Sequence, residues 1–337
     1  MDLRTTPKVD LHRHLEGAIR LETVLDLMRE AGEPLPEGTP DELAPRAQVL
    51  QPMDSLEAVL ARFDIAQRAF TTPEACERIA AEAVDDLARD EVRLAELRFS
   101  PHFLCEAHGL DWDEAFAAIA RGVERASAEH DVVVGLIAIA SRNYGLESAE
   151  RTAEFARRHA DDLVAFDLAG DERPFPPSMY VDVVARTRDA GLGLTTHYGE
   201  STGPAFPREA IEALGTQRLG HGVGVAGHPE VIALARERRV TLEMCPTSNH
   251  RTNAVRKLRE HPARRLLDED VPVTINTDNP GLFAVDLSEE LEVCVRELGF
   301  TDDDLRRVTR NAIDASFVDA ERKADVARRH FAWAGAA

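Results

Sequence analysis

Lysine is the charged residue that this sequence has least of, with only Lys8, Lys257 and Lys323 among 40 basic residues. The other basic residues are arginines, and 61 acidic residues bring the formal net charge to −21 at pH 7. An electric field of that sign repels phosphate backbones and anionic lipid surfaces. We therefore expect neither a nucleic acid nor a membrane as a partner.

Cysteines and long apolar runs are also scarce. The four cysteines lie far apart and show no spacing typical of a disulfide framework or a four-sulfur zinc site: Cys76, Cys105, Cys245 and Cys294. No run of about 18 apolar residues occurs, and the polar segment 1–7 lacks the apolar core of a signal peptide. These absences predict reduced, mostly buried thiols and a cytoplasmic protein.

Several catalytic signatures are missing as well. The sequence has no glycine-rich phosphate loop, no Gly-x-Gly-x-x-Gly dinucleotide fingerprint and no Gly-x-Ser-x-Gly nucleophile elbow. Each motif carries the chemistry of its enzyme class, because it cradles a phosphate or presents a reactive serine. Their absence removes the support for a kinase, a dehydrogenase or a serine hydrolase.

Short β-rich runs recur along the chain, and segments with helical apolar spacing separate them. The predicted strands are 8–11, 93–99, 132–140, 163–167, 194–197, 218–220, 241–244 and 272–277. The predicted helices between them are 73–89, 112–129, 148–159, 178–190, 229–238 and 263–268. Such alternation is typical of a parallel sheet wrapped by helices. Eight strands without a duplicated nucleotide-binding half favour an α/β fold of the (β/α)8 TIM-barrel type over an open doubly wound sheet.

Two regions extend this barrel pattern. The segment 20–72 is longer than one crossover needs and is interrupted by five prolines, so we interpret it as a helical insertion that could cap the barrel mouth. After the eighth strand, segments 288–298, 302–310 and 317–331 are predicted to be closing helices. No Ser/Gly-rich linker interrupts the sequence, and residues 1–337 are therefore predicted to form a single domain.

His12 and His14 stand two residues apart at the end of the first predicted strand. Because side chains alternate along a strand, both imidazoles point to one face and could begin a metal site. The pair alone is weak evidence, since histidines at this spacing also occur as hydrogen-bonded polar residues. The ends of the other strands decide between the two interpretations.

Three further strands end in titratable residues, namely His197, His221 and Asp278. In barrel enzymes the C-terminal ends of the strands converge on one catalytic face, which favours the metal interpretation. Three imidazoles and one carboxylate suit zinc or a similar borderline divalent ion, with one position open for water. The candidate ligands are His12, His14, His197, His221 and Asp278.

The scarcity of lysine also bears on the number of metal ions. Barrel hydrolases with two bridged metal ions use a lysine, carboxylated at its amine, near the end of the fourth strand. No lysine lies between Lys8 and Lys257, so a lysine-bridged pair is excluded and a single metal ion is predicted.

Two more residues have alternative interpretations. Glu200 could be a first-turn helix carboxylate or, beside the metal ligand His197, a catalytic acid or base. His221 could be a core histidine or, on the same face as the metal ligands, a catalytic one. The remaining histidines are interpreted as surface or structural residues: His102, His108, His130, His159, His228, His250, His261 and His330.

Seven segments, taken in order, resemble the adenosine deaminase family of the amidohydrolase superfamily. They are 7–17 (PKVDLHRHLEG), 96–101 (ELRFSP), 167–172 (DLAGDE), 196–200 (THYGE), 220–222 (GHG), 245–249 (CPTSN) and 276–280 (NTDNP). Their span covers most of the chain, and seven ordered segments are more specific than any single motif.

The resemblance implies a hydrolase that converts adenosine to inosine and ammonia and also accepts deoxyadenosine. It implies that one Zn²⁺ per chain is held by four predicted ligands: His12, His14, His197 and Asp278. It implies that Glu200 protonates purine N1 and that His221 orients the attacking water and helps to deprotonate it. The backbone amide of Gly170 would contact purine N3, His14 would border the substrate, and Asp278 would share in catalysis. The expected partner is a small purine nucleoside or base; the oligomeric state stays open, a homo-oligomer included.

Three residues depart from the family pattern. Glu16 stands where the family generally has an aspartate that contacts the ribose 5′-hydroxyl. Asn279 replaces the second aspartate of Asp-Asp-Pro, which contacts purine N7, although an amide can still donate to N7. Tyr198 replaces a small residue before Gly-Glu and could narrow the pocket.

These departures keep alternative functions open. Within the same chemistry, the substrate could be adenine or a 5′-modified adenosine such as aminodeoxyfutalosine, but segment 167–172 resembles the nucleoside-using branch and favours adenosine. In a different class, the chain could be a non-catalytic relative that keeps a zinc-binding barrel. Such a relative should have lost part of the site, whereas Glu200 and all four predicted ligands are present.

Overall fold

Eight parallel strands form one sheet in the computed structural model, which describes residues 1–335. The strands are β1 (Lys8–His14), β2 (Val92–Phe99), β3 (Val133–Ser141), β4 (Ala165–Ala169), β5 (Gly193–His197), β6 (Arg218–Gly220), β7 (Thr241–Met244) and β8 (Val273–Ile275). Each strand pairs with the next one in the sequence. All eight lie within a few residues of the predicted runs, and the predicted TIM-barrel fold is confirmed.

The sheet nearly closes on itself where the segment after β8 returns to β1. Arg13 forms a parallel bridge with Asp278. The N–H of Asp278 donates to the carbonyl of His12 at 2.8 Å, and the N–H of His14 donates to the carbonyl of Asp278 at 2.8 Å. Closure therefore places two predicted metal-binding segments against each other.

Helices cover the outside of the barrel. The segment after β1 forms α1 (Leu21–Glu30), α2 (Pro40–Ala47), α3 (Leu56–Leu60) and α4 (Phe63–Gln67). Those between the strands are α5 (Pro73–Arg89), α6 (Pro101–Cys105), α7 (Trp112–His130), α8 (Gly145–Arg158), α9 (Val181–Asp189), α10 (Ala205–Glu209), α11 (Pro229–Glu237), α12 (Pro246–Arg251) and α13 (Ala263–Asp268). After β8 come α14 (Pro280–Phe283), α15 (Leu287–Leu298), α16 (Asp302–Ala315) and α17 (Ala320–His330).

Local capping explains why several helices begin where they do. The Thr72 hydroxyl accepts a hydrogen bond from the N–H of Ala75, and Pro73 occupies the first position of α5. Asp286 and Glu289 form a reciprocal capping box at the start of α15. These side chains satisfy N–H groups that the first helical turn leaves free.

Two helix predictions need correction. The predicted helix 178–190 divides into a 3-10 turn (Pro177–Tyr180) followed by α9. The last closing helix begins at Ala320 and not at residue 317, because Asp319 caps it through the N–H of Arg322. The ring of Phe317 instead packs beneath the guanidinium of Arg218, whose central carbon lies 3.9 Å from the ring centroid.

The insertion covers the barrel mouth, as its length suggested. Leu56, Val59, Leu60 and Phe63 line the cavity at the C-terminal ends of the strands. The four cysteines are buried free thiols, in agreement with the sequence prediction. None of the helices that residues 1–335 form is both long and apolar enough to span a membrane.

Candidate active site

A cavity of about 230 Å³ lies at the C-terminal ends of the strands. Its walls include eight of the nine residues that the sequence predicts for the site: His14, Glu16, Gly170, His197, Glu200, His221, Asp278 and Asn279. The ninth, His12, is fully buried directly behind His14. The barrel thus brings together residues that are up to 267 positions apart in the sequence.

Four side-chain atoms converge beside this cavity. Nε2 of His14 lies 3.3 Å from Nε2 of His12 and 3.2 Å from Nε2 of His197. Oδ1 of Asp278 lies 3.3 Å from Nε2 of His14 and 3.4 Å from Nε2 of His12. Ligand atoms about 2.0–2.1 Å from one tetrahedral zinc ion stand roughly 3.3 Å from one another. The spacing therefore fits a single metal ion.

Carboxylates hold two of these rings from behind. Nδ1 of His12 lies 2.6 Å from Glu243, and Nδ1 of His197 lies 3.1 Å from Asp167. A carboxylate that is ionised only accepts hydrogen bonds, so each Nδ1 carries the hydrogen and each Nε2 keeps its lone pair for a metal. This donor chemistry fits zinc or another borderline divalent cation.

The same neighbourhood contains a second, overlapping group of ligand atoms. One atom from each of His12, His197, His221 and Asp278 lies within 4.8 Å of the other three. His14 approaches the cluster more closely, with three ligand atoms at 3.2–3.3 Å from its Nε2. The shorter distances favour His14 over His221 as the third imidazole ligand.

Charged side chains inside the barrel contact the carboxylates behind the His12 and His197 rings, and their roles were not assigned from the sequence. Arg98 donates to Asp167 at 2.8 Å and to Glu243 at 2.9 Å, and Nε of Arg218 lies 2.6 Å from Glu243. Against the effect of burial, Arg98 and Arg218 lower the pKa of Glu243 well below its ordinary range. Charged residues within otherwise apolar strands, ELRF in β2 and TLEM in β7, were the available sequence signal.

Glu200 lies in the same cavity, with its Oε2 3.7 Å from Nε2 of His221. Burial raises the pKa of Glu200 well above its ordinary range, and the negative charge of Asp278 raises it further. Both effects favour the neutral carboxylic acid over the carboxylate. Glu200 is therefore suited to donating a proton to a bound molecule.

A second glutamate holds the loop that carries Glu200. Glu172 accepts hydrogen bonds from three backbone N–H groups of this loop: Gly199 at 2.6 Å, Ser201 at 2.5 Å and Thr202 at 3.0 Å. Glu172 is itself buried. It therefore orders the backbone on both sides of Glu200, a role that was not assigned from the sequence.

Backbone conformation turns two site residues into the cavity. His221 and Asp278 both have a φ of 62°, in the left-handed region that residues other than glycine rarely adopt. Gly220 precedes His221, and a Cβ there would lie 3.0 Å from Cε1 of His12 and 3.1 Å from the ring of His197. The absence of a side chain at Gly220 thus leaves room for the two rings where they pack against β6.

The edge of the His221 ring that points away from the cavity forms a hydrogen bond inside the protein. Its Nδ1 lies 3.0 Å from Nδ2 of Asn249, and Oδ1 of Asn249 lies 3.0 Å from Nε2 of His261. Nδ1 of His261 accepts a hydrogen bond from the N–H of Ala263 at 3.2 Å. His261, which the sequence placed among the surface or structural residues, is buried and connected to the site through Asn249.

Three residues with predicted substrate contacts also border the cavity. Gly170 has a φ of 95°, and a Cβ there would lie 2.4 Å from Oδ1 of Asn143, so only glycine can occupy this position without displacing its neighbour. Oε1 of Glu16 accepts a hydrogen bond from the N–H of Ser100 at 2.5 Å, and burial raises the pKa of Glu16 to about 7. Within residues 1–335, Oε2 of Glu16 and Oδ1 of Asn279 are buried without a hydrogen-bond partner.

The expectation that Tyr198 could narrow the pocket is wrong. Its side chain is fully buried and does not line the cavity. The hydroxyl donates to the carbonyl of Phe175 at 3.1 Å, and the guanidinium of Arg142 lies 4.1 Å from the ring centroid. Alternation along β5 explains the orientation, because the residue after His197 points to the opposite side.

Comparison with known proteins gives consistent results. A family model described as adenosine deaminase matches residues 7–332. A protein named adenosine deaminase from Shewanella loihica is 38% identical over 319 residues, which cover 94% of this chain and 96% of that protein. The solved structure of an adenine deaminase from Arthrobacter aurescens matches with a TM-score of 0.90 at 25% identity, and the match covers 98% of this chain and 100% of that chain. An amidohydrolase from Burkholderia ambifaria, solved with bound zinc, matches with a TM-score of 0.88 at 27% identity, and the match covers 98% of this chain and 90% of that chain.

Proposed function

Because the chain belongs to the adenosine deaminase family, we propose that it catalyses the hydrolytic deamination of adenosine to inosine and ammonia, and that it also accepts deoxyadenosine. The observation that carries this proposal is the position of Glu200, whose buried carboxyl group faces the same cavity as the convergent ligand cluster. Replacement of a purine amino group by water requires an acid beside a metal site.

The proposed cofactor is one Zn²⁺ per chain, held by His12, His14, His197 and Asp278. The 3.2–3.4 Å distances among their ligand atoms support one ion rather than two. When bound there, zinc supplies a Lewis acid that lowers the pKa of a water ligand toward neutrality. Glu243 and Asp167 would keep the lone pairs of His12 and His197 directed at the ion.

The remaining residues would bind the purine and transfer protons. Glu200 donates a proton to N1, which lowers the electron density of the ring and makes C6 open to attack by water. His221 holds the attacking water, and the N–H of Gly170 meets N3. The Asn279 amide, whose oxygen has no partner among the described residues, can turn its N–H group toward N7.

Glu16 supports both the proposed substrate and the main alternative. Its buried Oε2, which has no hydrogen-bond partner within residues 1–335, can accept a hydrogen bond from the ribose 5′-hydroxyl of adenosine. The longer side chain could instead fill the ribose subsite and favour free adenine, the substrate implied by the name of the Arthrobacter structure. The curated relative named adenosine deaminase, at 38% identity, supports adenosine as the first candidate.

A substrate panel tests these assignments directly. The zinc-loaded protein would be incubated with adenosine, deoxyadenosine, adenine, 5′-deoxyadenosine and a 5′-thioether analogue of adenosine, and loss of the aminopurine absorption band would be followed. We expect the highest kcat/KM for adenosine. A higher value for adenine would favour the alternative, and inactivity on every compound would contradict the proposed deaminase function.

A further inference from the structure

A chain of three hydrogen bonds connects His221 to a backbone amide. The chain begins at Ala263, whose N–H donates to Nδ1 of His261 at 3.2 Å. A backbone N–H can only donate, so Nδ1 of His261 has to be an acceptor. Burial lowers the pKa of His261 to about 3, and the ring is therefore neutral. Its one hydrogen lies on Nε2.

The direction of the next two hydrogen bonds follows from this starting point. Nε2–H of His261 faces the side chain of Asn249 at 3.0 Å, so the contacting atom of Asn249 has to be its carbonyl oxygen. The amide nitrogen of Asn249 then faces Nδ1 of His221, at 3.0 Å, and donates to it. Nδ1 of His221 thus carries no hydrogen, and the hydrogen of the neutral ring lies on Nε2.

We propose that Asn249 and His261 are positioning residues that hold His221 as its Nε2–H tautomer, so that His221 acts on the attacking water as a hydrogen-bond donor. The catalytic part of this proposal rests on the proposed function. A ring that accepts at Nδ1 and carries hydrogen on Nε2 offers an N–H group to the cavity and no lone pair. Proton donation to the purine remains with Glu200, whose Oε2 lies 3.7 Å from that N–H nitrogen.

The same reasoning separates His221 from the metal ligands. His12 and His197 each have a carboxylate behind Nδ1, which leaves the lone pair of Nε2 free to bind a cation. Behind His221 the partner is an amide that donates, and the arrangement of hydrogen and lone pair is reversed. His221 therefore stays outside the ligand set although it lies within 4.8 Å of three ligand atoms.

The tautomer can be observed directly in the zinc-loaded protein. Long-range proton–nitrogen correlation spectra of protein labelled with ¹⁵N only in histidine distinguish a protonated ring nitrogen from an unprotonated one. Loss of signals in His221→Gln identifies the resonances of His221. We expect the Nε2–H form between pH 6 and 8; the Nδ1–H form or a doubly protonated ring would overturn the proposal. The spectra give the tautomer whether or not the protein deaminates adenosine, so the two proposals can fail independently.

Variants at Asn249 and His261 test whether the hydrogen-bond chain sets the tautomer. In Asn249→Asp, a carboxylate would accept from both His261 and His221, which moves the hydrogen of His221 to Nδ1. We expect the reversed tautomer and a loss in kcat of about 10²-fold or more, with zinc retained. An unchanged tautomer in this variant, with unchanged kcat, would contradict the proposal.

The position of His261 offers a matched pair. His261→Phe removes the donor to Asn249, and we expect mixed tautomers of His221 and a loss in kcat of about tenfold or more. His261→Gln places an amide nitrogen near the former Nε2 and should restore the tautomer and most of the kcat. Equal kcat losses in both variants, with the tautomer of His221 unchanged, would assign His261 a purely structural role. If His261→Phe fails to fold, the spectra of the unsubstituted protein and of His261→Gln still decide the outcome.

Discussion

At the residue scale, buried glutamates of this protein take opposite protonation states because their neighbours differ. Glu243 lies between Arg98 and Arg218, which lower its pKa well below the ordinary range against the effect of burial. Glu200 borders the cavity and keeps 9% of its side chain exposed, and desolvation together with the charge of Asp278 raises its pKa well above that range. In the proposed mechanism, one residue type thus serves as a fixed anion behind a metal ligand and as a proton donor in the cavity.

Glu200→Gln separates proton transfer from hydrogen bonding. The amide can still donate a hydrogen bond to N1 but cannot give up a proton, so we expect kcat for adenosine to fall by about 10²–10⁴-fold. Metal analysis should find the same zinc content as in the unsubstituted protein, because Glu200 is not among the proposed ligands. Glu237→Gln, an exposed change on α11, is the control. Near-normal turnover in Glu200→Gln would show that another group protonates the purine.

Oε2 of Glu16, which has no hydrogen-bond partner in the described part of the chain, predicts a preference for the 5′-hydroxyl. At pH 8, above the pKa of about 7 that burial gives Glu16, the carboxyl group is mostly ionised, and removal of the hydroxyl leaves a charged acceptor without its hydrogen bond, which costs about 1.5–3 kcal/mol. We therefore expect kcat/KM for 5′-deoxyadenosine to be roughly 10–100-fold below that for adenosine. In Glu16→Ala the two substrates should differ much less. Equal kcat/KM values for adenosine and 5′-deoxyadenosine in the unsubstituted protein would show that Glu16 does not bind the ribose 5′-hydroxyl.

At the element scale, a closing helix supports the helix that carries site residues. Ser248 on α12 donates to Asp278 at 2.6 Å, and Asn249 on the same helix contacts His221. The start of α12 is tied to α15 by Glu290, which accepts from the N–H of Thr247 at 2.7 Å and from its hydroxyl. α15 therefore does more than cover the barrel, because it holds the start of α12 beside the site.

The unfolding free energy of the protein should depend on pH through Glu290. Burial raises the pKa of Glu290 from 4.5 to about 7. A carboxyl group whose pKa is higher in the folded state than in the unfolded state lowers the unfolding free energy as the pH rises from the unfolded-state pKa to the folded-state pKa. We therefore expect Glu290→Gln, which cannot ionise, to gain roughly 2–3 kcal/mol in unfolding free energy relative to the unsubstituted protein between pH 5 and pH 8. Urea unfolding at both pH values measures this difference.

The control for this prediction is Glu290→Leu. It removes the acceptor of both Thr247 groups and should lower the unfolding free energy by about 1–3 kcal/mol relative to Glu290→Gln at either pH. Parallel pH dependence of the unsubstituted protein and Glu290→Gln would show that Glu290 does not titrate in this interval.

At the scale of the whole molecule, the proposed metal site connects strands that are far apart in the sequence. Its ligands come from β1, from the end of β5 and from the segment after β8, where the barrel closes. A bound ion would therefore stabilise the closed barrel in addition to its chemistry. Binding to the folded state alone adds about 4 kcal/mol when the free ion is at 1,000 times its Kd.

Chelation should therefore lower the thermal unfolding midpoint, and one equivalent of zinc should restore it. Metal analysis of the purified protein should find one ion per chain, because four ligands with roughly 3.3 Å spacing enclose a single position. His197→Ala should lose both the ion and the restoration by zinc. Two equivalents bound with similar affinity would contradict the single-metal prediction.

The sequence by itself determined the strands, most helices and the residues that reach the cavity. These features depend on near neighbours: apolar alternation sets strands, capping residues set helix starts, and residues at strand ends meet at one face of any barrel. Resemblance to known deaminases added the expected roles of these residues. Every strand lies close to its predicted position, and all nine predicted site residues lie in or beside one cavity.

The side chains that contact each site residue from behind could be identified only from the tertiary structure. Glu243 meets His12 across 231 positions, and His261 reaches His221 through Asn249, although no local pattern connects these residues. The contacts that bury Tyr198 away from the pocket, with Arg142 and Phe175, likewise come from distant segments of the chain. Sheet closure sets such contacts, and through them the positions of hydrogens and charges, because parallel strands bring together segments that the sequence keeps far apart.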